Sequence, residues 1–124
     1  MTDQVIDTIT VGSAPLQVEA SATDLIYVSN TTDTTVSVID SQTDLLIQTI
    51  TVGSSPQGIA FSPEGDKAFV TAITDNTVAV IDTATGTVTQ LLTVGTGPSL
   101  IGITPNGEKV YTGNTSSTVS VIDA

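Results

Sequence analysis

Three aspartates, Asp40, Asp82 and Asp123, each close a Val-Ile-Asp triplet and recur at nearly even spacing. Stacked repeats would bring them to one face as a row of carboxylates, the residue type that calcium selects. Calcium takes six or more oxygens, however, and single carboxylates one repeat apart do not converge. The simpler reading is an Asp that caps the turn following it through the backbone. A second polar set is Asn30, Asp33, Asp75, Asn76 and Asn114, which fall in short turns and share a predicted face with Ser13, Ser54, Ser55 and Thr96. They form a candidate face for a small molecule or a protein, with solvated turn residues as the competing reading. Glu19 differs from the other acids because it sits inside an apolar segment, away from any predicted turn. Acid–base catalysis needs a second carboxylate nearby and one pKa raised by burial, so Glu19 carries the catalytic alternative: a carboxylate- or divalent-metal-dependent hydrolase or isomerase acting at a central channel.

Composition removes most other chemistries. The 124 residues contain no Cys and no His, so thiolate nucleophiles, disulfides, imidazole bases and most zinc or haem sites are excluded, and no cofactor is predicted. Lys67 and Lys109 are the only cations among thirteen acids, giving a net charge of -11 and no Arg. Neither nucleic acid nor an anionic membrane surface is an expected partner, because both require a basic patch. The beginning of the chain has no basic region followed by an apolar run, and no window reaches transmembrane length. A soluble protein with no signal peptide in this chain is expected.

The elements that position these residues come from an internal repeat. The phrase Thr-Val-Gly-x-x-Pro occurs at Thr10 to Pro15, Thr51 to Pro56 and Thr93 to Pro98. Ile26-Tyr27-Val28-Ser29-Asn30 returns as Ala68-Phe69-Val70-Thr71-Ala72 and Val110-Tyr111-Thr112-Gly113-Asn114, followed each time by a Val-x-Val-Ile-Asp run. A period near forty residues, rich in Val, Ile and Thr and broken by Pro, Gly and Asp turns, predicts four short antiparallel strands per unit. The strands lack inside/outside alternation, as in Val78-Ala79-Val80-Ile81, so each sheet is expected to be covered on both faces. Those features predict an all-β fold, a β-propeller, with the first strand of each blade innermost and Gly58 and Ala60 relieving crowding at the axis. The predicted segments are a leading strand over 4–11, blade one over 15–52, blade two over 56–94, and three strands of blade three over 98–123.

These landmarks resemble the YVTN family of propeller repeats. The resemblance rests on Tyr27-Val28-Ser29-Asn30 and its two counterparts, on the Val-Ile-Asp ends, and on Ser62-Pro63-Glu64-Gly65-Asp66 and Thr104-Pro105-Asn106-Gly107-Glu108. The sequence departs from the family pattern at Glu19 to Asp24, which replaces the Pro-x-Gly turn and is one residue short, and at Ala72 in place of Asn. The resemblance implies an extracellular or cell-surface setting, and because the residues give catalysis little support, a non-catalytic scaffold or interaction module is the expected function.

Three blades do not close a ring, since sheets about 10 Å apart cannot fan through roughly 120° per step. The leading strand is the fourth strand of a blade whose other three lie at the opposite end of the sequence. Pairing between copies is therefore expected, with Val5, Ile6, Ile9 and Val11 of one chain meeting Val119 and Val121 of another. Two copies give six blades and are favoured as a homodimer; a trimer with nine is the alternative.

Overall fold

The computed structural model describes residues 2–124, and the described part contains strands and turns only. Blade one comprises β1 (Pro15–Ala20), β2 (Leu25–Asn30), β3 (Thr35–Asp40) and β4 (Leu45–Thr51). Blade two comprises β5 (Pro56–Phe61), β6 (Lys67–Ala72), β7 (Thr77–Asp82) and β8 (Thr87–Thr93). Blade three has β9 (Pro98–Ile103), β10 (Lys109–Asn114) and β11 (Val119–Asp123). Each blade is a separate antiparallel meander in chain order, two of four strands and one of three.

Residues 4–11, expected as a strand, carry none in the single chain. The reason is topological. A fourth strand needs the free edge of a third, and the one left over, β11, belongs to the blade at the other end of the stack.

Repetition at the level of turns explains why three diverged units fold alike. Ser62 and Thr104 accept the Lys67 and Lys109 amides after the first strand of their blades, and Ser21 accepts that of Leu25 in the shortened first hairpin. The left-handed position that Gly65 and Gly107 fill at φ 78° and 74° is taken there by Asp24 at 64°. The first hairpin thus forms despite its departure from the repeat, because Asp tolerates that conformation better than most residues.

Each junction between blades uses the same two faces. The front of blade one (Tyr27, Val36, Val38, Ile50, Val52) packs on the back of blade two (Ile59, Phe61, Val70, Ile81). The front of blade two (Phe69, Val78, Val80, with Leu92 and Val94) packs in the same way on Val110, Ile101, Ile103 and Ile122 of blade three. Blade two is consequently covered on both sides, and its inner three strands are almost continuously buried. The end blades have one open face, so β9 and β11 alternate between half-buried and exposed residues.

Tyr27 shows the cost of a polar atom in such a junction. Its ring is fully buried and meets Phe61 edge-on at 4.8 Å, yet its hydroxyl has no hydrogen-bond partner among the described residues. Burial, reinforced by the negative charge of Asp82, pushes its pKa from 10 to about 12. Blade two carries Phe69 at the equivalent position. Tyr27→Phe is therefore expected to hold or raise stability by up to about 1 kcal/mol at pH 7, read from urea denaturation. The phenol is neutral in the folded chain and ionises more easily unfolded, so its share of stability is intact below pH 10 and drains away as pH rises toward 12. The Phe variant should lose less stability in that window than the parent.

Candidate functional site

The Gly-x-x-Pro loops and the turns between second and third strands meet on one face, held by the side chains that the sequence marks out. Asp33 accepts the Ser13 amide at 2.8 Å, and Asp75 accepts that of Ser54 at 2.9 Å, the same pin in consecutive blades. Asn76 accepts the Gly97 amide at 2.9 Å and so ties blade two to the loop entering blade three. Asn30 is fully buried and donates to Ser37 at 2.9 Å and Thr35 at 3.2 Å, while its Oδ1 lacks a partner. Asn114 makes the same two donations, to Ser120 at 2.9 Å and Thr118 at 3.0 Å. Asp33, Asp75 and Asn76 thus hold loop amides on this face, while Asn30 and Asn114 tie the ends of β2 and β10 to hydroxyls at the start of the strands that follow. The residue before each loop proline takes left-handed φ (Ala14 at 52°, Ser55 at 56°, Gly97 at 67°), which the pins help to hold.

Asp40 and Asp82 accept the amides of Gln42 and Ala84, two residues on, at 2.8 and 2.9 Å, the turn-capping role. Among the described residues no three acids converge as a cation site. Glu19 is half-buried on β1 and accepts a hydrogen bond from Gln17 Nε2 at 3.2 Å.

The hub residues were not singled out from the sequence as functional, although the repeat alignment marks them. Gln17, Gly58 and Leu100 occupy the third position of the innermost strands. Gln17 bonds both the amide and the carbonyl of Ile59 in the next blade, each at 3.1 Å. At the next junction Gly58 donates to the Thr71 hydroxyl at 2.7 Å, and that hydroxyl donates to the Ser99 carbonyl, also at 2.7 Å. Each hydroxyl here serves a register shift where β1 meets β2 and β5 meets β6, since Ser29 accepts the Gln17 amide at 3.1 Å in blade one. Leu100 has no following blade and is 71% exposed.

The two ends of the stack hold the predicted ring-closing residues. On the front of blade three, Val119 and Val121 are 61% and 58% exposed, although their equivalents Val36, Val38, Val78 and Val80 are buried in junctions. Tyr111, equivalent to buried Tyr27 and Phe69, is open on the same face. At the other end Ile9 and Val11 are half-buried in an apolar groove on the back of blade one, with Val18, Ile26, Val28 and Ile39. Val5 and Ile6 are almost fully exposed. The segment therefore has an anchored half and a free half. Within one chain, the two groups of residues remain at opposite ends.

No family model matches the chain, and no curated protein sequence does. Solved structures do. A Kuenenia stuttgartiensis hydrazine synthase chain is 24% identical over 98% of this chain and 36% of its own, with a TM-score of 0.87. The β-propeller domain of Cps50 (Swd1) from Myceliophteria thermophila is 15% identical over 96% of this chain and 38% of its own, with a TM-score of 0.82. A protein of unknown function from Desulfotomaculum acetoxidans gives 21% identity, 95% and 44% coverage, and a TM-score of 0.78. The chain thus spans less than half the length of each. At these identities the likeness is one of fold: three consecutive blades of a β-propeller.

Proposed function

We propose that the chain is a non-catalytic scaffold or interaction module built from YVTN-type repeats, and that copies of it join end to end into a closed propeller. The observation that carries this reading is the open front of blade three. It presents Tyr111, Val119 and Val121 at positions where blades one and two bury theirs, and a second copy offers the matching back of blade one with Ile9 and Val11 already seated on it. An apolar face of that kind, beside the unpaired edge of β11, favours association. A head-to-tail contact closes when the rotation permits, and two copies supply six blades.

Light scattering on the 124-residue chain tests it. A mass twice the 12.6 kDa of one chain is expected, falling to the single-chain value on Val119→Asp. A wild-type chain that stays at 12.6 kDa at every concentration overturns the reading, and three times that mass replaces the dimer with the nine-bladed trimer.

A further inference from the structure

The internal junctions dictate how an exchanged strand would pair, and that register exposes a mismatch at one position. In blade one Thr35 lies opposite Thr51, Val36 opposite Ile50, Ser37 opposite Thr49 and Val38 opposite Gln48. Blade two repeats this with Thr77 and Thr93, Val78 and Leu92, Ala79 and Leu91, and Val80 and Gln90. Carried over through the Val-Gly landmark, the rule sets Thr10 opposite Thr118 of a second copy, Ile9 opposite Val119, Thr8 opposite Ser120 and Asp7 opposite Val121. The third residue before the Thr-Val-Gly phrase is thus Gln in both internal fourth strands and Asp in the exchanged one.

That Gln has a task at the internal junction. Gln48 Nε2 donates to the carbonyl of Gly86, in the turn of the following blade, at 3.2 Å. The blade-one equivalent of Gly86 is Asp44: both amides bond the carbonyl of the Asp four residues earlier at 2.8 Å, and both residues have left-handed φ, 68° and 57°. Asp44 also lines the groove in which Ile9 and Val11 lie. A strand continued toward residue 7 along the internal pattern therefore brings the Asp7 carboxylate over the Asp44 carbonyl. A carboxylate has no proton to donate, and Asp44 adds a second negative charge where Gly86 has no side chain.

We infer that the Asp7–Asp44 pair is a built-in brake on ring closure, keeping the exchange between copies of this chain reversible; the inference rests on the end-to-end reading above. Asp7→Gln removes the repulsion, and beside Asp44→Gly it also regains the internal donor contact, which Gly86 accommodates by having no Cβ. Asp7→Gln alone should tighten association about tenfold, the scale of one relieved like-charge contact. Asp44→Gly, which copies Gly86, should also tighten the parent, and should add more in the Asp7→Gln background, where it also opens the space that the Gln amide needs, since a Cβ at Gly86 would run into the Gln48 amide.

Sedimentation velocity across a concentration series measures all four proteins, with Val119→Asp as the control for the joining surface. Tighter association for Asp7→Gln, with a non-additive double variant, is the expected result. An unchanged or weakened constant for Asp7→Gln, in a chain whose dimer Val119→Asp still abolishes, overturns the brake and leaves the ring intact. Independent, additive effects of the two changes likewise overturn it, since the residues would not then face each other. If wild type and Asp7→Gln both remain single chains throughout, the end-to-end reading falls and the brake with it.

Discussion

Removing residues 2–11 is expected to abolish assembly and to destabilise blade one in the chain that remains. The deletion strips Ile9 and Val11 from the groove they share with Ile26, Val28 and Ile39 and returns that groove to water. Two half-buried aliphatic side chains account for about 2 kcal/mol, a large share of the margin of a small domain. It also removes the segment that the end-to-end reading pairs with β11. The measurements are mass by light scattering and the urea midpoint of the soluble fraction. A truncated chain that still shows the doubled mass proposed for the parent would show that the copies join through some other surface. Val5 and Ile6 divide the two effects: they are almost fully exposed in the single chain, so polar substitutions there should weaken assembly with little change in blade-one stability.

Gly58→Ala is expected to cost about 3 kcal/mol, combining overpacking with damage to a buried hydrogen-bond relay. A Cβ at Gly58 would run into the Ser99 carbonyl oxygen, well inside van der Waals contact, and come within 3.1 Å of Ile101 and of the Thr71 hydroxyl. Ser99 Oγ is not the obstacle. The clash is with backbone, and that backbone is held in place by the same Thr71 hydroxyl that Gly58 donates to. Pushing β9 away would relieve the contact only by breaking the relay. The equivalent position in blade one holds Gln17 because its amide takes both backbone groups of Ile59, so that junction is built around a side chain instead of around its absence. Urea denaturation is again the measurement, and a loss below about 1 kcal/mol would show that β9 yields freely.

The repeat made the architecture legible, and two kinds of information lay outside it. Val78, Val80 and Ile81 reveal a doubly covered strand because they have no polar face to spare, and they are buried as read. Val119 and Val121 have the same residue types in the same order yet are exposed, because burial here depends on whether a blade follows. Local sequence cannot report its own place in a stack. The loop face was legible as a collection of Asp and Asn in turns, but not the purpose of each. Asp33 and Asp75 reach loops about twenty residues earlier in the chain, and only the three-dimensional meeting of turn and loop shows that their carboxylates hold amides. Glu19 stood out because the segment around it is apolar, and the structure gives its carboxylate a hydrogen bond from Gln17. The hub relay was hidden for a different reason. Thr71 reads as an ordinary β-former, and its hydroxyl matters only because Gly58 lets a neighbouring strand come close enough to be reached.

The innermost strands of adjacent blades crowd together, whereas β4 and β8 at the rim barely touch. Mechanically this makes each junction a hinge with its pivot at the axis and a long lever arm outward. A change of a few tenths of an ångström at Gly58 or Gln17 is magnified along the width of a blade before it reaches the rim, where little resists it. The aperture between blades is therefore sensitive to a handful of small or amide side chains at the pivot, acting together with the packed apolar surface outside them.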